Sequence, residues 1–196
     1  MGALRLAVFA FVLAVGAPAR ADPVAQWRGH IAEASARFGI PVDWIERVMR
    51  AESGGRTMYR GAPVTSSAGA MGLMQLMPGT WKDMRSRLGL GTDPHQPRDN
   101  ILAGTFYLRL MYERFGHPGM FAAYNAGPAR YAAYLEGRGR LPGETVAYLK
   151  KVAGEPGLPA VETRSVSQAR MTDVHPAPLE NVRRAADIFF IKRPQP

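Results

Sequence analysis

The sequence of 196 residues contains no cysteine. This absence excludes disulfide bonds, cysteine-ligated metals and cysteine nucleophiles, so the core has to stabilise the fold. Acidic residues are also scarce, because 16 Asp and Glu stand against 25 Lys and Arg and give a formal net charge of +9. Such a basic protein favours anionic partners, for example nucleic acid, anionic lipid or an acidic cell-wall polymer.

The positive charge is not gathered into one run of Lys and Arg, and the sequence has no signature of a nucleic-acid-binding module. We therefore expect no nucleic-acid partner. The strict alternation of apolar and polar residues that is typical of strands is missing as well. The sequence predicts an all-α protein of six to eight short helices, and its length suits one domain with an appendage.

The one long apolar run lies close to the N-terminus, at residues 4–15, next to Arg5. It is followed by Ala19-Arg20-Ala21, the small-x-small pattern of a cleavage site. The run is too short for a stable membrane span, and a buried core helix does not suit the extreme N-terminus. Residues 1–21 are therefore predicted to be a signal peptide that is cleaved after Ala21, and we expect the protein to be periplasmic.

Apolar residues recur at helical spacing between this leader and residue 153. The predicted helices span residues 24–38, 42–53, 79–88, 99–115, 120–124, 129–135 and 142–152. In the fourth, Asp99 is the expected N-cap, and Gly104 indicates that another segment or the substrate lies close against the middle of the helix. We expect this helix to be the central one of a single domain over residues 22–153.

Glu52 stands out because it continues the apolar face of its helix. That face consists of Val42, Ile45, Val48 and Met49. Glu52 follows Val48 by four residues, and its position in the last turn exposes it to the negative end of the helix macrodipole. A buried carboxylate is unfavourable unless it is paired or its pKa rises. The pattern predicts a proton donor poised near neutral pH, and a solvated surface glutamate is the alternative.

Two further segments present amide side chains among small residues. In residues 69–78, two glycines within four residues permit positive φ or a close backbone approach, and Gln75 offers a donor and acceptors. A turn that leads into a core helix is the alternative there. Asn125 precedes Ala126-Gly127-Pro128, a pattern that is typical of a helix end and would hold the amide at a fixed position.

Four motifs follow one another along the chain. They are Glu52-Ser53, Gly72-Leu73-Met74-Gln75, Ala123-Tyr124-Asn125-Ala126-Gly127 and Glu144-Thr145-x-x-Tyr148. Their order and spacing resemble the motifs of the soluble lytic transglycosylase catalytic domain, and Asn100-Ile101 with Gly104 and Tyr107-Leu108 resembles that family's central helix. The resemblance covers residues 27–152. It implies a lysozyme-like, goose-type multi-helix domain with a groove.

The resemblance also implies an activity, which is cleavage of the β-1,4 bond between MurNAc and GlcNAc in peptidoglycan glycan strands. Glu52 would protonate the glycosidic oxygen and then, as a base, assist attack by the MurNAc C6 hydroxyl, which leaves a 1,6-anhydro product. Most glycosidases need two carboxylates, and an internal nucleophile removes that need. No other acid of the domain stands out as a partner for Glu52. We expect neither a cofactor nor a metal ion.

The residues that the resemblance assigns to substrate binding are Ser53, Ser66, Met74, Gln75, Tyr124, Asn125 and Tyr148. The serines would hold sugar or carboxylate oxygens, the two amides would hydrogen-bond the substrate, and the tyrosines and the methionine would line the groove. Tyr148 would also reach Glu52. After Glu52-Ser53 the sequence departs from the family in two ways. Gly55-Arg56-Thr57 stands where the family often has Asn-Pro, and the loop from there to Gly72 is slightly longer than in the family.

Residues 154–196 differ in composition from the domain, because they are rich in Pro, Arg, Ser and Gln. This predicts an irregular C-terminal extension. The apolar run Ile188-Phe189-Phe190-Ile191 lies beside Lys192-Arg193 and motivates the hypothesis of recruitment to a secretion or envelope complex. A tail that folds back on the domain is the alternative. We expect the protein itself to be a monomer.

An exported lytic transglycosylase is the leading interpretation of the sequence. A hydrolytic muramidase of the same fold is the first alternative, and its products would carry reducing ends instead of anhydro ends. A non-catalytic peptidoglycan-binding assembly factor that retains the groove is the second. Replacement of Glu52 by Gln separates this binder from the two enzymes.

Overall fold

The structure is a computed structural model and describes residues 22–153. In this part of the chain it contains seven α-helices, a short 3-10 helix at Ala25–Trp27 and one small hairpin. The helices are α1 (Arg28–Phe38), α2 (Val42–Glu52), α3 (Pro78–Leu88), α4 (Pro97–Phe115), α5 (Gly119–Ala126), α6 (Pro128–Leu135) and α7 (Gly143–Val152). The prediction of an all-α fold is confirmed.

The hairpin consists of two antiparallel strands, β1 (Met58–Tyr59) and β2 (Ala62–Pro63). They lie in a segment whose Gly, Ser, Thr and Pro content indicates a loop, and two-residue strands are too short to show the alternation by which strands are recognised. The expectation that no segment forms a strand is therefore wrong for these four residues.

Glycine and proline set most of the helix ends. Gly39 and Gly89 adopt left-handed conformations with φ of 64° and 65° after α1 and α3, which is where glycine commonly ends a helix. The predicted N-cap of α4 is wrong. This helix begins two residues before Asp99, and the Gln96 side chain caps it by accepting from the Asp99 backbone N–H at 2.8 Å.

Helix α4 is the centre of the domain. It packs against α1, α3 and α5, and it is continuously buried from Asn100 to Leu108. A helix that is covered on all sides has to be apolar or small around its whole circumference, and residues 100–108 meet this condition except for Asn100 and Thr105. The prediction of a central helix here is confirmed.

Helix α2 carries Glu52 at its C-terminal end and lies between α1 and α7. Its residues Ile45, Val48 and Met49 are fully buried, whereas Val42 is 41% exposed and does not belong to the inner face. Helix α2 is also joined to α7, because the Arg47 guanidinium donates to the carbonyl of Val152, the last residue of α7, at 3.4 Å. The buried residues anchor α2 in the core, and α7 lies alongside it.

Several predictions fall outside the described residues. These are the signal peptide over residues 1–21, its cleavage after Ala21, and the extension over residues 154–196. Within residues 22–153, none of the helices combines the length and the apolar character that crossing a membrane requires.

Candidate active site

Glu52 is the last residue of α2 and is only partly exposed to solvent. The pKa of its carboxyl is raised to about 7, mainly because the group is buried; an interaction with the Tyr148 hydroxyl lowers this pKa and the charge of Glu144 contributes to the rise. Removal of water disfavours the charged form of an acid, which is why burial dominates here. Glu52 can therefore hold a proton near neutral pH and release it there.

Ser53 connects the end of α2 to the second motif. Its hydroxyl donates to the Leu73 carbonyl at 2.8 Å and accepts from the Gly55 backbone N–H at 3.1 Å. The side chain is buried, so its hydroxyl hydrogen is not free for a sugar oxygen. The predicted contact between Ser53 and substrate is therefore not what the geometry favours, and the hydroxyl instead fixes the Glu52 end of α2 against Leu73.

The turn at residues 72–75 depends on a buried asparagine. Asn100 Oδ1 accepts from the Met74 backbone N–H at 2.7 Å, and Asn100 Nδ2 donates to the carbonyls of Met71 and Pro94 at 3.1 and 2.8 Å. Gly72 adopts φ of 75°, and a Cβ on it would lie 2.6 Å from the Pro94 carbonyl oxygen. Only glycine fits this contact, since both the backbone angle and the space exclude a side chain.

Gln75 has an unusual backbone conformation, with φ of 46°. A left-handed conformation outside glycine stores strain, and such strain is common at functional sites. The Gln75 side chain is partly exposed, and its Nε2 donates to the Gly72 carbonyl at 2.8 Å. This bond orients the amide and leaves its oxygen available as an acceptor.

Met74 does not line a groove with its side chain. It is fully buried and packs against Gly104 of α4, where a Cβ would lie 2.7 Å from Met74 Cγ. The prediction that Met74 forms a groove wall is therefore wrong, and Gly104 is required because Met74 occupies the space of a side chain.

Two tyrosines enclose Glu52 from α5 and α7. Burial raises the pKa of Tyr124 and of Tyr148, and the charge of Glu52 is the next largest cause for both. The Tyr124 hydroxyl donates to the Met74 carbonyl at 2.8 Å. The Tyr148 hydroxyl lies near the Glu52 carboxyl and is buried, yet it forms no hydrogen bond of normal geometry within residues 22–153. It is therefore free to donate to the carboxylate or to a substrate.

Asn125 lies at the end of α5 and is partly exposed. Its Oδ1 accepts from the hydroxyl of Thr145, a fully buried residue in the first turn of α7, at 2.8 Å. This bond uses the amide oxygen and leaves the Asn125 Nδ2 hydrogens to face outward as donors. Thr145 therefore orients Asn125, a role that we did not predict.

Ser66 is exposed and lies in the loop that leads back to the second motif. Its Oγ accepts from the Ala70 backbone N–H at 3.0 Å, and Thr65 bridges to Met71 beside it. The Ser66 hydroxyl hydrogen is free, so this serine differs from Ser53 and keeps the capacity to bind substrate.

Glu144 is a second carboxylate near the site. It lies in the first turn of α7, and its charge also reaches Glu52. Within residues 22–153, no group of three His, Asp or Glu side chains is placed to bind a metal ion. The geometry thus offers one proton-exchanging acid, two tyrosines and two oriented amides.

Comparison with known proteins relates this arrangement to one family. The family described as "Transglycosylase SLT domain" matches residues 29–146. The soluble lytic murein transglycosylase of Escherichia coli K12 is 35% identical over 132 residues, which cover 64% of this chain and 19% of that protein. The transglycosylase of Enterobacteria phage PRD1 is 33% identical and covers 76% of this chain and 54% of its own length.

A solved structure is also similar. The crystal structure of an inactive mutant of the lytic transglycosylase Slt from Pseudomonas aeruginosa matches with a TM-score of 0.56 and 30% identity, over 64% of this chain and 22% of that one. The chain thus spans about a fifth of the length of these larger relatives.

Proposed function

The chain belongs to the transglycosylase SLT domain family, and on this premise we propose that it is a lytic transglycosylase that cleaves the MurNAc-β-1,4-GlcNAc bond of peptidoglycan. The observation that carries the proposal is the buried Glu52 carboxyl, whose pKa of about 7 suits an acid that must also act as a base. The similar protein of Escherichia coli is a soluble lytic murein transglycosylase, which supports the same substrate class.

In the proposed reaction, the Glu52 carboxyl gives its proton to the glycosidic oxygen as the bond to MurNAc C1 breaks. The resulting Glu52 carboxylate then takes the proton of the MurNAc C6 hydroxyl, whose oxygen forms the new bond to C1. One proton leaves Glu52 and one returns, so the acid is regenerated and no water is consumed. A single carboxyl suffices because the nucleophile belongs to the substrate.

Tyr148 is suited to assist at the second stage. After the first proton transfer Glu52 is charged in a partly dry site, which is unfavourable without a donor. The buried Tyr148 hydroxyl near the carboxyl has no other partner in the described structure. We propose that it stabilises the carboxylate, and that Gln75, Asn125 and Ser66 bind the sugars with their free polar atoms.

Product analysis tests this proposal directly. Purified peptidoglycan digested with the protein should release fragments that end in 1,6-anhydro-MurNAc, which mass spectrometry distinguishes from hydrolytic products by the mass of one water. Reducing ends in place of anhydro ends would identify a hydrolytic muramidase. The release of no fragments, with binding retained, would identify a glycan-binding protein.

The activity is expected to depend on pH through Glu52. Only the protonated carboxyl can begin the reaction, so kcat/KM should fall as the pH rises above about 7, the pKa of this acid in the folded protein. Glu144→Gln removes a charge that raises this pKa, so the fall should begin at lower pH in that variant. Initial rates of fragment release between pH 5 and 9 measure both effects. An unchanged profile in Glu144→Gln would mean that Glu144 does not act on Glu52.

We further propose that residues 1–21 direct export and that the protein acts on the cell wall from the periplasm. The basic charge of the whole chain agrees with an acidic polymer as substrate. A role of residues 154–196 in a secretion or envelope complex, and a monomeric state, remain proposals for pull-down and sedimentation experiments with the full chain.

A further inference from the structure

The β1–β2 hairpin is joined to the proposed active site at its base. Val64, which follows β2, donates its N–H to the Thr57 carbonyl at 2.9 Å and accepts from the Gly72 N–H at 3.1 Å. Gly72 begins the turn that ends with Gln75, and the next residue, Leu73, is bonded to Ser53 beside Glu52. The hairpin is therefore held at the edge of the site, and its turn lies three to four residues from this base, about 10 Å away at the rise of a strand.

The large side chains of the hairpin are uncovered. Met58 and Tyr59 are 51% and 53% exposed. Their cross-strand partners are Pro63 and Ala62, which are too small to cover them. Because neighbouring residues of a strand point to opposite faces, the Tyr59 ring and the Met58 side chain are offered to different sides of the hairpin.

Arg60 occupies the first position of the two-residue turn and adopts φ of 51°, and Gly61 follows with φ of 81°. Positive φ at both positions defines the turn that suits a hairpin, and Asn-Gly is the sequence that this turn favours. Arginine in the left-handed region is strained, and strain of this kind is a reason to suspect a function. The Arg60 guanidinium lies 5.3 Å from the centre of the Tyr59 ring.

Neither Arg60 nor its neighbour Arg56 forms an ion pair with a carboxylate of residues 22–153. The ion pairs of this part of the chain involve other arginines, namely Arg47, Arg50, Arg87, Arg98, Arg109 and Arg138. The hairpin thus presents an unpaired cation next to an exposed aromatic ring. An aromatic face suits the apolar face of a sugar ring, and a guanidinium suits a carboxylate in a bidentate pair.

From these observations we propose that the hairpin is a substrate-binding arm for the peptide-bearing glycan strand, with the Tyr59 ring on a sugar and the Arg60 guanidinium on a carboxylate of the stem peptide. The proposal rests on the proposed function, because it assumes peptidoglycan as the substrate. It makes the protein selective for strands that still carry their peptides.

Arg60→Asn tests the charge without damaging the turn. Asn is favoured at this φ, so the variant should be at least as stable as the parent protein in thermal unfolding. In the inactive Glu52→Gln background, Arg60→Asn should weaken sedimentation with peptide-bearing peptidoglycan about threefold, a size typical of an exposed charged contact. The same variant should bind unchanged to glycan strands from which an amidase has removed the peptides. Tyr59→Ala should weaken binding to both forms.

Arg114→Gln is the matched control, because Arg114 also lies over an aromatic ring, that of Phe115 at 4.9 Å, but on α4. Arg114→Gln should leave binding unchanged. If it weakened binding as much as Arg60→Asn does, the loss would reflect the total positive charge of the protein, and the proposal would be overturned. Equal binding of Arg60→Asn and its parent to peptide-bearing strands would overturn it too. If the wild type cleaves this peptidoglycan in that case, only the inference fails. If the wild type neither binds nor cleaves it, the proposed function fails as well.

Discussion

Glu52→Gln is expected to lower the rate of fragment release from peptidoglycan by about 10³-fold. Glutamine keeps the size and polarity of the side chain but cannot give a proton to the glycosidic oxygen, and general acid catalysis contributes roughly 10²–10⁴ to enzymatic rates. The measurement is the initial rate of anhydro-fragment release at pH 6, where the wild-type carboxyl, with a pKa of about 7, is mostly protonated.

The same variant should be more stable than the wild type above pH 5. The folded-state pKa of Glu52 is raised from 4.5 to about 7, so the folded protein binds the proton more tightly than the unfolded chain, and its stability falls as the pH rises between these values. Glutamine has no such penalty. In thermal unfolding, the free energy of unfolding of Glu52→Gln should exceed that of the wild type by an amount that grows to about 3 kcal/mol at pH 8. A variant more stable than the wild type is folded, so its loss of activity would not be due to misfolding.

Glu46→Gln is the control for both measurements. Glu46 lies on the same helix, and its carboxylate is 4.0 Å from the Arg50 guanidinium. Its replacement should change the rate by less than about twofold. Retained activity in Glu52→Gln, at a rate close to that of Glu46→Gln, would contradict the assignment of the acid.

The second large effect is expected at Asn100, where Asn100→Asp should destabilise the protein by about 3–5 kcal/mol at pH 7. One carboxylate oxygen can still accept from the Met74 N–H, but the other would take the place of Nδ2 and face the carbonyl oxygens of Met71 and Pro94, which now accept from that nitrogen. An unpaired charge at a fully buried position accounts for the size of the effect. Urea unfolding measures it.

This destabilisation should shrink at lower pH. The introduced carboxyl would have a raised pKa in the folded state, so the folded protein would take up a proton as the pH falls, and stability would return toward pH 4. Asn125→Asp is the matched control, because its partner Thr145 donates to the oxygen that both side chains share. It should cost less than about 1 kcal/mol in stability. Equal losses at the two positions would contradict the role assigned to Asn100.

The burial of Glu52 could be predicted from the sequence because it depends on a local rule. Helical periodicity decides which residues share a face, and Val48 and Met49 next to Glu52 on that face are indeed fully buried. Val42 shows the limit of the rule, since it shares the spacing of this face but is 41% exposed. Periodicity predicts which residues share a face of a helix, but it does not predict how much of that face the neighbouring elements cover.

The contacts that orient the site could not be predicted in this way, because they join residues distant in sequence. Asn100 binds a turn more than 20 residues before it, and Thr145 binds Asn125 across a loop and a helix. Motif resemblance names residues but not the atoms that face the substrate. It therefore assigned Ser53 and Met74 to substrate binding, although the Ser53 hydroxyl is bonded to Leu73 and the Met74 side chain fills the space beside Gly104.

The position of α7 against α2 links the acidity of Glu52 to the packing of these two helices. Tyr148 and Glu144, both on α7, act on the Glu52 carboxyl, and burial at this junction is what keeps it neutral. If α7 detaches, water reaches the carboxyl, its pKa falls toward 4.5, and it ionises at neutral pH. Docking of α7 is thus coupled to proton uptake by Glu52, so a chain in which α7 is not docked would lack the neutral acid that the proposed reaction needs.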